Sequence, residues 1–246
     1  MHSAAERIRR SGRKGSRFGV KISEIFYSLQ GEGTLMGVPS VFVRTSGCNL
    51  RCTWCDTPYT SWHPEGEELL VERIVERATT FGASHVVVTG GEPMIAPEIV
   101  ELTRKLRDAK LHITIETAGT CYMPVSCDLM SISPKLGNST PHERENGRWA
   151  AQHDRLRFQP EVLQRLTRDY HYQLKFVVSG PEDLDEIDAI RESVGAEQER
   201  TILMPEGIDR QVLRERGVWL AEICKAKGYR YSPRLHIELW GDGRGV

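Results

Sequence analysis

Residues 47–56 read GCNLRCTWCD and place three cysteines, Cys48, Cys52 and Cys55, on one short stretch, the cysteine loop. Thiolates are soft, anionic metal ligands, and three of them on one loop can converge on a single inorganic centre. A structural zinc ion and an iron–sulfur cubane both normally take four ligands, so three cysteines leave one position open. The loop therefore predicts either a cluster with one open iron, or a zinc site completed by His63 or by a distant cysteine.

The chain around this loop has the composition of an ordinary globular protein. Its 246 residues, 39% of them apolar, favour one large domain with a sizeable core. The 33 Lys and Arg residues balance 34 Asp and Glu residues, so no protein-wide field attracts nucleic acid or an anionic membrane. No stretch approaches the roughly 18 consecutive apolar residues of a membrane helix, and no secretory signal precedes the cysteines. We therefore expect a cytoplasmic protein with reduced cysteines and with neither membrane nor nucleic-acid partners.

Residues 1–19 form a basic arm that we set apart from the fold. Its first 17 residues carry six basic side chains and one acidic one, a net charge of +5, and little apolar content. This composition predicts a flexible, solvated extension, with a contact to nucleic acid as the alternative. We expect a single domain over residues 20–246.

Short apolar runs alternate with amphipathic helical patterns along that domain. The alternation predicts an α/β fold with a mostly parallel sheet and crossover helices, of about six βα units, fewer than the eight of a closed barrel. The predicted strands are residues 40–44, 85–89, 111–116, 129–133, 173–178 and 201–204. Helical periodicity runs through residues 70–78, 95–109, 162–166, 184–194 and 212–223, with a break in the last at Gly217. Residues 136–158 are polar and lack clean periodicity, so we expect an inserted loop there.

In such folds the reacting groups gather at the carboxyl ends of the strands. The cysteine loop follows the first predicted strand, and residues 89–93, TGGEP, cover the end of the second. Gly90 and Gly91 would let the backbone approach a ligand closely, and Glu92 would offer a carboxylate or brace the strand end. A tight turn without a ligand is the alternative for this motif taken alone.

The spacing C-x-x-x-C-x-x-C, together with the Gly-Gly-Glu-Pro turn, resembles the radical S-adenosylmethionine (SAM) superfamily, whose fold is a partial (β/α)6-type barrel. Within it, the chain resembles the 7-carboxy-7-deazaguanine synthase family from Glu24 to its carboxyl terminus. The matching segments include residues 26–33 (FYSLQGEG), 42–44 (FVR), 55–57 (CDT), 116–120 (ETAGT), 131–135 (SISPK) and 234–241 (RLHIELWG). The QGEG segment, residues 30–33, separates this family from others with the same cysteine loop.

The resemblance implies a lyase that converts 6-carboxy-5,6,7,8-tetrahydropterin into 7-carboxy-7-deazaguanine by ring contraction with loss of ammonia. The implied cofactors are a [4Fe-4S] cluster on Cys48, Cys52 and Cys55, SAM and Mg²⁺. One electron from the cluster would cleave SAM, and the resulting 5′-deoxyadenosyl radical would remove a hydrogen from the substrate. The implied partners are an electron donor such as flavodoxin or ferredoxin, and a second copy of the chain in a homodimer.

The resemblance also implies a set of substrate-binding residues. They are Leu29, Gln30, Gly31, Glu32, Arg44, Thr89 and His236. Residues 29–32 could match the donors and acceptors of a flat pterin edge, with an ordinary polar turn as the alternative. Arg44 could clamp the pterin carboxylate, or it could instead pair with a glutamate. His236 could equally be a hydrogen-bonded core histidine.

The residues that the resemblance implies for SAM lie near the ends of predicted strands. They are Trp54, Cys55, Asp56, Gly91, Glu92, Ser133, Pro134, Lys135, Met204, Pro205, Glu206 and Gly207. Lys135 could neutralise the methionine carboxylate or be a surface lysine, and Ser133 could bond to the ribose. Residues 204–207 would offer backbone contacts to adenine. Thr57 would supply a hydroxyl oxygen to Mg²⁺, which needs few protein ligands.

Two other functions remain open. A glycyl-radical activase would share the cysteine loop but dock a protein instead of a pterin, and the QGEG segment counts against it. A non-catalytic zinc module would use the basic arm on nucleic acid, and it predicts zinc without labile sulfide.

Overall fold

The computed structural model of the chain describes residues 19–246, and one nine-stranded sheet runs through this part. Its strands are β1 (Val20–Leu29), β2 (Pro39–Thr45), β3 (Glu67–Leu69), β4 (His85–Gly90), β5 (His112–Thr117), β6 (Leu129–Ile132), β7 (Tyr172–Val178), β8 (Thr201–Pro205) and β9 (Arg230–Tyr231). They lie in the order β3-β1-β2-β4-β5-β6-β7-β8-β9. The predicted flexible arm, apart from Gly19, falls outside the described residues.

All six predicted strands are confirmed, as β2 and as β4 to β8, and each neighbouring pair among them is parallel. β9 extends the parallel series, whereas β1 pairs antiparallel with both β2 and β3. The prediction of a mostly parallel α/β sheet is therefore confirmed. The sequence reasoning missed β1, β3 and β9, which lie at the two ends of the sheet.

The helices are α1 (Pro58–Ser61), α2 (Val71–Thr79), α3 (Ile99–Asp108), α4 (Ala150–Arg157), α5 (Pro160–Asp169), α6 (Leu184–Ser193), α7 (Arg210–Lys227) and α8 (Leu235–Trp240). Most of them cross over between successive parallel strands, as the alternation of patterns predicts. None of the helices within residues 19–246 has the length and apolar character to cross a bilayer.

The side chains of the parallel strands alternate between two faces, and this alternation makes the site. In β7, Leu174 and Phe176 are completely buried in the hydrophobic core, whereas Lys175 points to the opposite, concave face and lines a cavity there. The same alternation in β4 puts Val88 in the core and Thr89 in the cavity wall. Lys175 and Thr89, polar side chains inside otherwise apolar strands, therefore mark the face of the sheet that lines the cavity.

Two local predictions were wrong. Residues 136–158 are not only loop, because α4 lies within them; the buried side chain of this helix is His153, so no apolar stripe revealed it. α7 runs through Gly217 without a break. A Cβ at this glycine would lie 2.6 Å from the hydroxyl oxygen of Tyr231, so the glycine allows a close approach of β9 and does not end the helix.

Candidate active site

A cavity of about 580 Å³ opens at the carboxyl ends of the parallel strands. This volume is within the roughly 300–1,000 Å³ typical of sites for small molecules. The cavity is lined by most of the residues that the sequence singled out: Leu29, Gln30, Gly31, Glu32, Arg44, Cys48, Cys52, Trp54, Cys55, Asp56, Thr57, Thr89, Gly91, Ser133, Lys135, Met204, Glu206, Gly207 and His236. The fold thus joins the predicted cluster, SAM and substrate residues in one space.

The cysteine loop has the donors for an iron–sulfur cluster and lacks those for a single-ion site. Cys48, Cys52 and Cys55 all face the cavity, and all six cysteines of the chain are free thiols. Within residues 19–246, no three His, Cys, Asp or Glu side chains converge as ligands of one metal ion, and His63 is exposed outside the cavity. Burial raises the pKa of Cys48 to about 12, so this thiol is neutral until a metal displaces its proton. Three thiols that face one cavity without converging on one ion fit the three-cysteine ligand set of a cubane with one open iron better than a zinc site.

The turn after β4 packs directly against the cysteine loop. A Cβ at Gly91 would lie 2.1 Å from the carbonyl oxygen of Gly47, so only glycine allows this approach. Glu92 is 1% exposed and does not line the cavity. Its carboxylate accepts hydrogen bonds from the Thr117 hydroxyl at 2.7 Å and from the Ala118 N–H at 2.8 Å. The structure therefore gives Glu92 the bracing position, between the ends of β4 and β5.

A buried network of charges forms one wall of the cavity. Glu32 pairs with Lys175 and with Arg234, and Arg234 also pairs with Asp56 and donates to the Gly207 carbonyl at 2.7 Å. Burial alone would raise the pKa of Glu32, but Lys175 and Arg234 hold it well below its usual range. Burial likewise opposes ionisation of Asp56, yet Arg234 keeps its pKa lowered. These carboxylates are therefore ionised at neutral pH, and their positions are fixed by the two cations.

A further carboxylate, that of Glu116 on β5, links this strand to β4 and to the residue that follows β1. It accepts from the side-chain amide of Gln30 at 3.1 Å and from the Thr89 hydroxyl at 2.7 Å. Nearby, Arg44 donates through Nε to Glu24 at 2.8 Å while its side chain lines the cavity. The pairing with a glutamate that the sequence left open is therefore present, and it uses only one of the guanidinium nitrogens.

The backbone at Gly31 lies against the imidazole of His236. A Cβ at Gly31 would be 2.1 Å from Nδ1 of His236, and the N–H of Leu235 donates to the Gly31 carbonyl at 2.9 Å. Burial lowers the pKa of His236, so the ring is neutral near pH 7. The QGEG segment and the carboxyl-terminal helix thus form one surface of the cavity.

Lys135 lies in the cavity wall and is not a surface lysine. Its Nζ donates to the carbonyl and to the hydroxyl oxygen of Ser133, each at 3.0 Å, and lies 5.8 Å from the ring centroid of Trp54. Pro134, between Ser133 and Lys135, does not line the cavity. The cation and the indole border the space beside the cysteine loop.

The end of β8 and the residues that follow it form another part of the cavity wall. Met204, Glu206 and Gly207 line the cavity, whereas Pro205 is buried behind it. The carboxylate of Glu206 is bound by Arg216, so its side chain is held away from a ligand role. The backbone around Gly207 remains at the cavity surface.

Thr57 and Arg244 also line the cavity. Thr57 Oγ1 lies 3.9 Å from the Cys55 sulfur. Arg244 donates to Glu24 at 2.9 Å, and its guanidinium carbon lies 3.7 Å from the ring centroid of Tyr59. Arg244 thereby ties the last described residues to β1.

Sequence reasoning did not single out several charged residues of this site. Glu116 and Arg234 lie inside motifs that were matched, but neither was assigned a role. Lys175 had a usable signal, a lysine in the otherwise apolar run QLKFVV. Glu24 belongs to β1, the strand whose pattern was not recognised.

Comparisons with known proteins extend the similarity to nearly the whole chain. A sequence profile of the radical SAM superfamily matches residues 42–142. The chain is 43% identical over 245 residues to the 7-carboxy-7-deazaguanine synthase of Halobacterium salinarum, with 95% of each protein covered. It is 43% identical over 234 residues to the protein of that name from Rhodopirellula baltica, covering 95% of this chain and 91% of the relative. The crystal structure of QueE from Escherichia coli superposes with a TM-score of 0.65 at 27% identity, covering 89% of this chain and 95% of that one.

Proposed function

The chain belongs to the 7-carboxy-7-deazaguanine synthase family of radical SAM enzymes, and we propose that the cavity at the strand ends is where its reaction takes place. The enzyme is a lyase that converts 6-carboxy-5,6,7,8-tetrahydropterin into 7-carboxy-7-deazaguanine and ammonia. One observation carries the location: a single cavity is lined jointly by the three cysteines, the QGEG segment and His236. The match to named synthases over nearly the whole chain favours this function over a glycyl-radical activase or a zinc module.

Cys48, Cys52 and Cys55 would hold a [4Fe-4S] cluster, which supplies the electron that cleaves SAM. Lys135 and Ser133 lie where a methionine carboxylate and a ribose could be bound beside the cysteine loop. The backbone near Gly207 would contact adenine. The side chains of Glu92 and Glu206 are already bound by protein groups, so we assign them to support of the SAM site.

The opposite wall would bind the pterin. Two cations hold the Glu32 carboxylate in place, and the Gln30 amide and the Thr89 hydroxyl hold that of Glu116. Both carboxylates line the cavity, and each oxygen has a further lone pair that can accept a hydrogen bond from a pterin N–H group. Arg44 donates to Glu24 through Nε, and its terminal nitrogens are the donors that we assign to the substrate carboxylate. His236 is neutral, so it can bond to the ring edge without adding a positive charge to those of Arg234 and Lys175.

Several finer features remain proposals from the family. Thr57 would be the protein ligand of Mg²⁺, with the substrate carboxylate and water as the other ligands. An electron donor such as flavodoxin or ferredoxin would reduce the cluster, and the enzyme would work as a homodimer. The six free cysteines support a reducing compartment such as the cytoplasm. We treat residues 20–246 as one catalytic domain.

The direct test is anaerobic reconstitution with iron and sulfide, followed by incubation with the carboxypterin, SAM and a reductant. We expect a product of the mass of 7-carboxy-7-deazaguanine, formed only when the carboxypterin, SAM and the reductant are all present. A Thr57→Val variant should form the same product with a weaker response to added Mg²⁺. Fully loaded protein that cleaves SAM without consuming the pterin would contradict the proposal.

A further inference from the structure

The polar segment of residues 136–158, here called the cap segment, covers the outer side of the cysteine loop. Three of its residues accept hydrogen bonds from N–H groups of the loop. The N–H of Arg51 donates to His153 Nδ1 at 3.1 Å, and the N–H of Thr53 donates to the Ser139 carbonyl at 2.8 Å. The indole N–H of Trp54 donates to Asn138 at 3.2 Å. Arg51, Thr53 and Trp54 lie between the first cysteine and the third, so these bonds act on the part of the loop that sets the cysteine spacing.

The hydrogen bonds around His153 determine its tautomer. The Ser139 hydroxyl donates to the Leu136 carbonyl at 2.6 Å, so its oxygen can accept a hydrogen bond from the N–H of His153 Nε2 at 2.9 Å. Nδ1 then has no proton, and its lone pair accepts the Arg51 N–H. His153 is 1% exposed, and burial lowers its pKa to about 4, which keeps the ring neutral. Both ring nitrogens are used within the protein, which leaves no lone pair for a metal.

The cysteine loop has few restraints of its own. Its backbone hydrogen bond from Cys55 to Cys52 is long, at 3.4 Å, and it has no helix or strand between residues 47 and 56. The side chain of Arg51 donates to the carbonyls of Cys48 and Leu50 at 2.7 and 2.8 Å. The position of Arg51 therefore affects the first half of the loop, from Cys48 to Leu50, and His153 holds the backbone of Arg51 next to Cys52.

We propose that His153 is a positioning residue that holds the cysteine loop in the geometry required for cluster binding, by accepting the Arg51 N–H at Nδ1. This inference rests on the proposed function, because it requires the cluster. A loop fixed before the metal arrives loses less conformational freedom on binding, so the cluster is bound more tightly. Partners of this kind outside the ligand set typically change metal affinity about 10- to 100-fold when they are removed.

Two amide substitutions separate the bond to Arg51 from the general effect of a buried polar group. In His153→Asn, the side-chain oxygen is attached to Cγ, as Nδ1 is, so it can still accept the Arg51 N–H. In His153→Gln, the amide is one bond further out, near the position of Nε2, and faces Ser139 instead. Both variants are neutral and polar. His142→Gln, at an exposed histidine of the same segment, is the matched control.

The experiment measures the cluster itself and needs no substrate. Wild type and variants are reconstituted anaerobically, assayed for iron and sulfide, and then exposed to an iron chelator while the visible absorbance of the cluster is followed. We expect the His153→Gln protein to lose its cluster about tenfold faster than wild type. His153→Asn and His142→Gln should stay within about twofold of wild type, well below the effect expected for a lost partner.

The role of His153 would be overturned if the Asn and Gln variants retained their clusters equally well. It would also be overturned if both variants lost the cluster equally fast or if both failed to fold. The electron paramagnetic resonance spectrum of the reduced cluster gives a second readout, which should change in His153→Gln and not in His153→Asn. Wild-type protein that binds no cluster at all would instead refute the proposed function. The two failures are therefore distinguishable.

Discussion

Replacing Lys175 by methionine tests whether the charge network really stabilises the cavity wall. Methionine keeps a long apolar side chain and removes the ammonium group that pairs with Glu32. The side chains of Lys175 and Glu32 are only 7% and 14% exposed, so water cannot replace the lost interaction of the ammonium group with the Glu32 carboxylate. Arg234 remains beside Glu32 at 3.3 Å and compensates in part.

Breaking a buried ion pair by removing one partner typically costs about 3–5 kcal/mol. Because Arg234 remains, we expect the lower end, about 3 kcal/mol, or roughly a 150-fold change in the unfolding equilibrium. The effect should depend on pH. The pKa of Glu32 is lowered from its usual 4.5, so its stabilising contribution is present above pH 4.5 and is lost as the pH falls toward the lowered value. The stability difference between wild type and variant should therefore narrow below pH 4.5.

The assay is urea unfolding of the cluster-free chain, followed by circular dichroism and tryptophan fluorescence. Lys225 offers a matched control, because it pairs with Glu222 at 2.8 Å but both side chains are about 70% exposed, 71% and 68%. We expect Lys225→Met to change the free energy of unfolding by less than about 0.5 kcal/mol. The double variant Lys175→Met/Glu32→Gln should recover at least about 1 kcal/mol of the loss, since it removes both charges.

Three results would refute this reasoning. A loss below about 1 kcal/mol would mean that the pair behaves like a surface ion pair. Strict additivity of the two substitutions would mean that the side chains do not interact. A stability difference that does not narrow as the pH falls from 4.5 toward the lowered pKa of Glu32 would mean that Glu32 is not the carboxylate affected.

The other predictions concern cofactor and substrate. Cys52→Ala should hold little cluster and lose reductive cleavage of SAM, and cleavage retained in that variant would defeat the cluster assignment. Arg44→Ala should weaken pterin binding by roughly tenfold or more through the lost charge-assisted bonds, with SAM affinity unchanged; equal losses for both ligands would argue against the carboxylate clamp. Gly31→Ala would place a methyl group 2.1 Å from His236 Nδ1, so kcat/KM for the pterin should fall roughly a hundredfold while iron content stays at the wild-type level. A kcat/KM that does not change would show that the position of His236 is not critical.

The sequence predicted the parallel part of the sheet because fully buried strands are continuous apolar runs. It did not predict β1, in which polar and apolar residues alternate only partly, or β9, which has two residues. α4 was missed because its buried side chain, His153, is polar, and a search for helical periodicity follows apolar residues only.

The site was predictable where a short motif carries the chemistry, and less so where distant residues meet. The cysteines and the turn at Gly91 are local patterns, so spacing revealed them. The partners of Glu32, by contrast, lie far along the chain, at Lys175 and Arg234, and no local pattern relates them. Whether Arg44 faces a ligand or a glutamate also depends on tertiary contacts, because β1 brings Glu24 next to it.

The pairs Arg234–Glu32 and Arg244–Glu24 join the beginning of the sheet to the end of the described chain. A nascent polypeptide that has left the ribosome through β8 has all six predicted strands but still lacks the arginines that complete these pairs. Synthesis at roughly 5–20 residues per second delays them by a few seconds. During this interval Glu32 has Lys175 as its partner but not Arg234, and the cavity mouth is open. Full assembly of the catalytic pocket is therefore a late event of biogenesis, and a shortened chain ending before Arg234 would fold its sheet without completing the site.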